Sequence, residues 1–151
     1  MPKTYNSIWI HVVFSTKDRI PFLSWGIRGE LCQWVKKQSR KHGIYVDVVN
    51  GVKDHIHLLI KLKTTQNVAE VMSFIKGGSS KWLNERYNWK EGFAWQQGYG
   101  VFSVSQNEIK RVRAYIFNQE KHHKTESYSS EIKKLVRKNS GSPAKGFIPS
   151  H

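Results

Sequence analysis

Period-two alternation opens the chain. In YNSIWIHVVFST, Ile8, Ile10, Val12 and Phe14 alternate with Trp9, His11, Val13 and Ser15, as in a strand that sends neighbours to opposite faces. DHIHLLIKLK repeats the pattern, with Ile56, Leu58, Ile60 and Leu62 on one face and His55, His57, Leu59 and Lys61 on the other. IYVDVVNGV predicts a strand that pairs with it as a hairpin, turning at Asn50-Gly51. A last strand is predicted around Gly100 to Val104.

Helical spacing fills the gaps. Ile27, Leu31, Trp34 and Val35 predict a helix over 27–42, with Arg40, Lys41 and His42 at the negative end of its dipole and Gly43 as its stop. Asn67 and Glu70 are spaced as a cap that opens a second helix to about Tyr87. Gly77-Gly78 inside it costs about 1 kcal/mol per glycine against alanine. The pair implies a kink, a packing contact, or close approach of another backbone, protein or phosphate. Ser105 and Glu108 are spaced as a capping box for a third helix over 106–123, whose apolar stripe is Ile109, Val112 and Ile116. A short basic helix follows over 128–138, and NSGSPAKGFIPSH, residues 139–151, reads as a flexible tail.

Strand, helix, strand, strand, helix, strand is the split βαβ, ferredoxin-like order, an α+β antiparallel sheet shared with RRM domains. Residues 1–138 then form one domain, with the first two helices on one face of the sheet. His55 and His57 fall on the other face, where the third helix is free to dock.

Charge narrows the partner. Twenty-five Lys and Arg against 11 Asp and Glu give a formal charge of +14, which suits a polyanion, nucleic acid first. The single cysteine, Cys32, excludes an internal disulfide and a cysteine zinc site, fits a reducing cytoplasm, and reads as a core filler. No run is apolar enough to span a membrane and no signal peptide opens the sequence, so a cytoplasmic protein is expected.

Two neutral imidazoles on one strand face can share a metal ion but leave its coordination incomplete. On the third helix, at about 100° per residue, Tyr115 and Gln119 stand about 40° apart and one turn from each other. From that helix alone, Tyr115 reads first as a boundary packing residue and second as a functional one.

Taken in order and spacing, WIHVVFSTKDR, NGVKDHIHLLI, IKGGSSKWL, FAWQQGYGVFSVS and YIFNQEKHH resemble the single-tyrosine HUH transposases. These are transposases of bacterial insertion sequences, related to the REP-associated tyrosine transposases. HUH denotes two histidines around a hydrophobic residue, here His55-Ile56-His57. The resemblance covers most of the chain, up to about Lys138. It implies that His55, His57 and Gln119 hold a divalent metal, Mg²⁺ or Mn²⁺, with imidazole leaning toward Mn²⁺. It implies that Tyr115 attacks single-stranded DNA near hairpins, leaving a 5′-phosphotyrosine and a free 3′-hydroxyl. It further implies a homodimer in which the tyrosine helix of one subunit completes the site of the other.

Other residues keep two readings. Lys17, Arg19, Lys76, Lys81, Arg111 and Arg113 are phosphate contacts or solvated surface. Trp95, Tyr99 and Phe102 stack on unpaired bases or pack in the core. Asp54 is placed to orient an imidazole. His11 stands behind the metal ligands, touches DNA, or is structural, and His122 and His123 are structural or belong to the site. Two other functions compete: a hairpin-binding regulator that has lost turnover, and an RNA-binding module. The first needs none of the set His55, His57, Tyr115 and Gln119, and the second stacks bases where this chain has histidines.

Overall fold

A computed structural model describes residues 3–123 and 126–140, the side chains of His122 and Ser140 excepted. β1 (Trp9–Ser15) passes through a 3₁₀ turn at Lys17–Arg19 into α1 (Trp25–Lys41). β2 (Tyr45–Val52) and β3 (His55–Lys61) form a hairpin, followed by α2 (Val68–Arg86) and β4 (Gly100–Val104). A second 3₁₀ turn, Gln106–Glu108, leads into α3 (Ile109–Phe117), α4 (Gln119–His122) and α5 (Tyr128–Ser140). The strands make one antiparallel sheet in the order β2-β3-β1-β4. This is the ferredoxin-like arrangement that the element order predicts.

The alternation decides what lies on each face. Ile10, Val12 and Phe14 of β1 join Ile56, Leu58 and Ile60 of β3 under Leu31 and Val35 of α1 and Met72, Ile75 and Leu83 of α2. Each such fully buried side chain contributes about 1.5–3 kcal/mol. Across the sheet, Leu59 and Val104 lie under Ile109, Val112 and Ile116 of α3. Val13 lies under Tyr128, Ile132 and Val136 of α5. Helices therefore cover both faces, and β3 is buried from His55 to Ile60.

Three local expectations are corrected. Asn50 and Gly51 stay inside β2, paired with His57 and Ile56, and the hairpin turns at Lys53-Asp54. Gly51 is needed for closeness rather than for a turn, because a Cβ there would lie 2.2 Å from the His55 carbonyl oxygen. Asn50 instead donates from Nδ2 to the Ile116 and Phe117 carbonyls at 3.2 and 2.9 Å, closing the C-terminal end of α3. Ser105 makes no side-chain cap, Glu108 pairs with Arg111, and the tyrosine helix breaks at Asn118.

Asn67 does cap α2, accepting from the Glu70 N–H at 2.8 Å. The glycine pair divides: a Cβ on Gly78 would meet the Trp34 indole at 2.8 Å, so α1 packs there, whereas Gly77 faces open space. Helix α5 continues to Ser140, two residues into the expected tail, and 141–151 lie outside the described residues. Cys32 packs beside the main core, and burial pushes its thiol up to about 11. Among the described residues no helix is long and apolar enough to cross a membrane.

Candidate active site

The histidine strand is central in the sheet, with His55 opposite Ser15 and His57 opposite Val13 on β1. Both imidazoles are fully buried. Each is held from behind: Nδ1 of His55 is 2.8 Å from Asp54 Oδ1, and Nδ1 of His57 is 2.8 Å from His11 Nε2. Both Nε2 atoms therefore point the same way, and they meet a residue absent from the sequence reading, Glu131 of α5. Its Oε1 is 3.1 Å from His55 Nε2, 3.0 Å from His57 Nε2 and 2.9 Å from His123 Nε2. Its Oε2 accepts from the Tyr115 hydroxyl and, at 3.2 Å, from Gln119 Nε2. One buried carboxylate thus joins the imidazoles, the phenol and the amide.

The electrostatics follow from that centre. A carboxylate only accepts, so Nε2 of His55 and His57 must each donate to it. His57 then accepts at Nδ1 from His11, which leaves it neutral. His55 donates on both sides. Burial pulls the pKa of His55 down, but its hydrogen bonds to Asp54 and Glu131 outweigh that and raise it. Burial holds His57 at about 4, and burial with the nearby His57 charge holds His11 at about 3. Burial opposes ionisation of Glu131, yet the bonds from His123, His55 and His57 keep its carboxyl well below the usual range. Burial and then the Glu131 charge push the Tyr115 phenol far up.

These shifts predict acid sensitivity. His11 and His57 have folded pKa values of about 3 and about 4, below the unfolded value of 6.5. As pH falls through the unfolded value, the unfolded chain takes up these protons first, and each group removes about 1.4 kcal/mol per pH unit. His55, shifted upward, acts above this window: its contribution is fully present below pH 6.5 and is lost only as pH rises through its folded value. In EDTA the melting temperature should therefore drop by a few degrees per unit between about pH 6.5 and 4. Thermal melts of the protein and of His11→Gln check this, the variant giving the flatter profile.

The donor set fits a metal ion. Ligand atoms of His55, His57, His123 and Glu131 all lie within 4.8 Å of one another. Gln119 Oε1 is buried and has no hydrogen-bond partner among the described residues. An orphaned amide oxygen next to converging imidazoles is what a cation would satisfy.

A family model described as IS200-like transposase matches residues 4–119, from before β1 to the start of α4. The chain belongs to the IS200-like transposase family. It is 25% identical to the ISDra2 transposase TnpA of Deinococcus radiodurans over 114 residues, 72% of this chain and 81% of that protein. It is 26% identical to the transposase for insertion sequence element IS200 of Salmonella typhimurium over 114 residues, 72% of this chain and 74% of the relative. Two solved structures share the fold. One, from Deinococcus radiodurans R1 and described as a transposase, has a TM-score of 0.63 at 21% identity, covering 79% of this chain and 98% of its own. The other, a REP-associated tyrosine transposase bound to a REP hairpin, has a TM-score of 0.59 at 13% identity, covering all of this chain and 95% of its own.

Within this IS200-like transposase, the expected site residues separate. His55, His57, Tyr115, Gln119, His11, Asp54 and His123 come together around Glu131 within one chain. The side chain of His122 lies outside the described residues. Arg111 lines a cavity beside Tyr115, while exposed Lys17 and half-buried Arg19 follow β1, Arg19 donating to Ser129 Oγ at 3.2 Å.

Four residues expected at nucleic acid have protein partners in this structure. Trp95 is a core residue, 9% exposed, set edge-on to Phe14 and Phe93 and donating to Ser79 Oγ at 2.9 Å. It leaves no ring face for a base. Lys76 donates to the carbonyls of Gln96 and Gly98 at 2.8 and 2.7 Å, tying down the loop before β4. Lys81 is exposed on α2, across the sheet from the histidines, and lies 3.9 Å from Glu85. Arg113 is spent on Asp47 of β2 through two hydrogen bonds of 2.7 and 3.0 Å.

Proposed function

We propose that this transposase cuts and rejoins single-stranded DNA at hairpin-flanked ends, with Tyr115 as nucleophile and a divalent ion held by His55, His57 and Gln119. The observation that carries the reading is the shared centre: the Tyr115 hydroxyl and both imidazole Nε2 atoms bond to the same Glu131 carboxylate. Nucleophile and metal donors are thus within reach of one phosphate. The relative solved with a REP hairpin supports hairpin DNA as the ligand.

A cavity of about 520 Å³ between β4, α3 and α5 opens onto Tyr115 and Glu131, with Phe102, Arg111, Lys134 and Lys138 in its wall. The cations draw in the backbone and the Phe102 ring offers a surface for an unpaired base. Tyr115 oxygen attacks phosphorus while the bond from phosphorus to the 3′ oxygen breaks. The phenol proton leaves along its hydrogen bond to Glu131 Oε2, and the departing 3′ oxygen takes a proton from water. A bound divalent ion supplies charge stabilisation at the phosphate oxygens. The 5′-phosphotyrosine keeps the phosphodiester's free energy, so a 3′-hydroxyl can reverse the step and join new ends.

The test is direct. Protein is incubated with hairpin-bearing single strands and Mn²⁺, then run on a denaturing gel. A DNA-linked protein band, formed on hairpin strands and not on unstructured strands of equal length, is the expected result. Tight hairpin binding with no such band would leave only a binding protein.

A further inference from the structure

We propose that Glu131 and His123 are metal ligands, completing an imidazole-rich cradle that takes a transition divalent ion ahead of Mg²⁺ and takes it before DNA arrives. The inference rests on the metal-dependent reading above and deepens it. Both residues lie beyond the residues 4–119 that match the family. They come from the stretch after α3, Glu131 from α5 and His123 from the end of α4.

Geometry is the first argument. In an octahedral site with bonds of about 2.1 Å, neighbouring ligand atoms stand about 3.0 Å apart. Glu131 Oε1 lies 3.1, 3.0 and 2.9 Å from the Nε2 atoms of His55, His57 and His123, and the two nitrogens of His55 and His123 are 3.1 Å apart. The oxygen distances alone would also suit hydrogen bonds. The nitrogen pair alone would suit one too, with one imidazole giving its Nε2 proton and the other accepting it. It is the convergence of all four ligand atoms, within 4.8 Å of one another, that one shared cation accounts for.

Preorganisation is the second. Glu131 is 1% exposed, and its helix is anchored to Val13 through Tyr128, Ile132 and Val136. Asp54 and His11 hold the far nitrogens of His55 and His57, the arrangement that aims Nε2 at a metal and fixes its direction. Nothing in the set waits for substrate. Several imidazoles with one carboxylate suit Mn²⁺, Fe²⁺ or Zn²⁺, whereas Mg²⁺ favours oxygen ligands and keeps its waters.

Titration calorimetry of the full chain without DNA, using Zn²⁺, Mn²⁺ and Mg²⁺, tests this. Zn²⁺ and Mn²⁺ should bind tightly and Mg²⁺ far more weakly. Glu131→Gln keeps the shape of the side chain and should weaken Zn²⁺ at least about a hundredfold, more than loss of an outer-shell partner does. The rise in melting temperature with Zn²⁺ should vanish with it. Equal Zn²⁺ affinity in Glu131→Gln, with His57→Ala impaired, would overturn the inference and leave the metal reading intact. No ion bound by the unaltered protein would overturn both. Crystals of the unaltered protein soaked in Zn²⁺ give a check that needs no variant. The ion should lie about 2.0–2.2 Å from Glu131 Oε1, and an ion on His55 and His57 with Glu131 swung away would refute the assignment.

Discussion

Tyr115→Phe should form no covalent DNA adduct while keeping its fold and its affinity for hairpin strands. The substitution removes one oxygen and nothing else. The ring keeps its edge-on contacts with His11 and His57, at centroid distances of 6.0 and 5.8 Å. Glu131 loses one donor but keeps Gln119 and the histidines. The stability cost is about 1–2 kcal/mol, the range for a hydrogen bond to a charged group. Cleavage should fall below detection, since a phenyl ring cannot attack phosphorus. A second phenol makes the test discriminating. The ring of Tyr128 lies 4.7 Å from that of His55, so it is the competing nucleophile. Gel detection of the adduct should find it in Tyr128→Phe and not in Tyr115→Phe. The reverse pattern would move the nucleophile to α5.

His57→Ala should lose at least about a hundredfold in cleavage rate, the scale for removing one group that supports transition-state charge. Its imidazole is fully buried and does two jobs, reaching Glu131 with Nε2 and His11 with Nδ1. Removal leaves His11 Nε2 without its partner, at a cost of about 1–3 kcal/mol. The fold should hold, because Ile56, Leu58 and Ile60 point to the other core and are untouched. Paired cleavage assays and thermal melts, with and without EDTA, separate the two effects. EDTA should stop the unaltered protein and change the variant little. Undiminished cleavage by His57→Ala would make the imidazole a structural residue.

The sheet was legible because its signal is periodic and its burial two-sided. The rows at Ile56 to Ile60 and Ile10 to Phe14 could satisfy no other arrangement. Asn50-Gly51 misleads for an instructive reason. The pair has the chemistry of a hairpin turn, but here each residue answers a tertiary demand, Asn50 for the end of α3 and Gly51 for the nearby His55 carbonyl. For Trp95 and Lys76 the sequence leaves two readings open, since an aromatic or a cation carries no local mark of where it points.

Glu131 went unseen because a single acid on a short basic helix fits no motif. A helical wheel does offer a signal. Glu131 stands beside Tyr128, Ile132 and Leu135, a lone carboxylate against an apolar face, and burial there needs partners of opposite charge. His123 had adjacency to the tyrosine helix in its favour, but the break at Asn118 that redirects the chain toward the histidines has no sequence cue beyond the asparagine itself.

Placing Glu131 on the last helix has a consequence during synthesis. A nascent chain completes β1, β2 and β3 by Lys61, so the histidine pair is in place first. Tyr115 follows much later, and the carboxylate that gathers phenol and imidazoles arrives last, at Glu131. At about 5–20 residues per second the interval is several seconds. A product that stops short of α3 carries the histidines without Tyr115. One that stops short of α5 carries the tyrosine with nothing to gather it. On the proposed function, interrupted translation should therefore yield products that lack nicking activity, because the carboxylate joining Tyr115 to the histidines is made last.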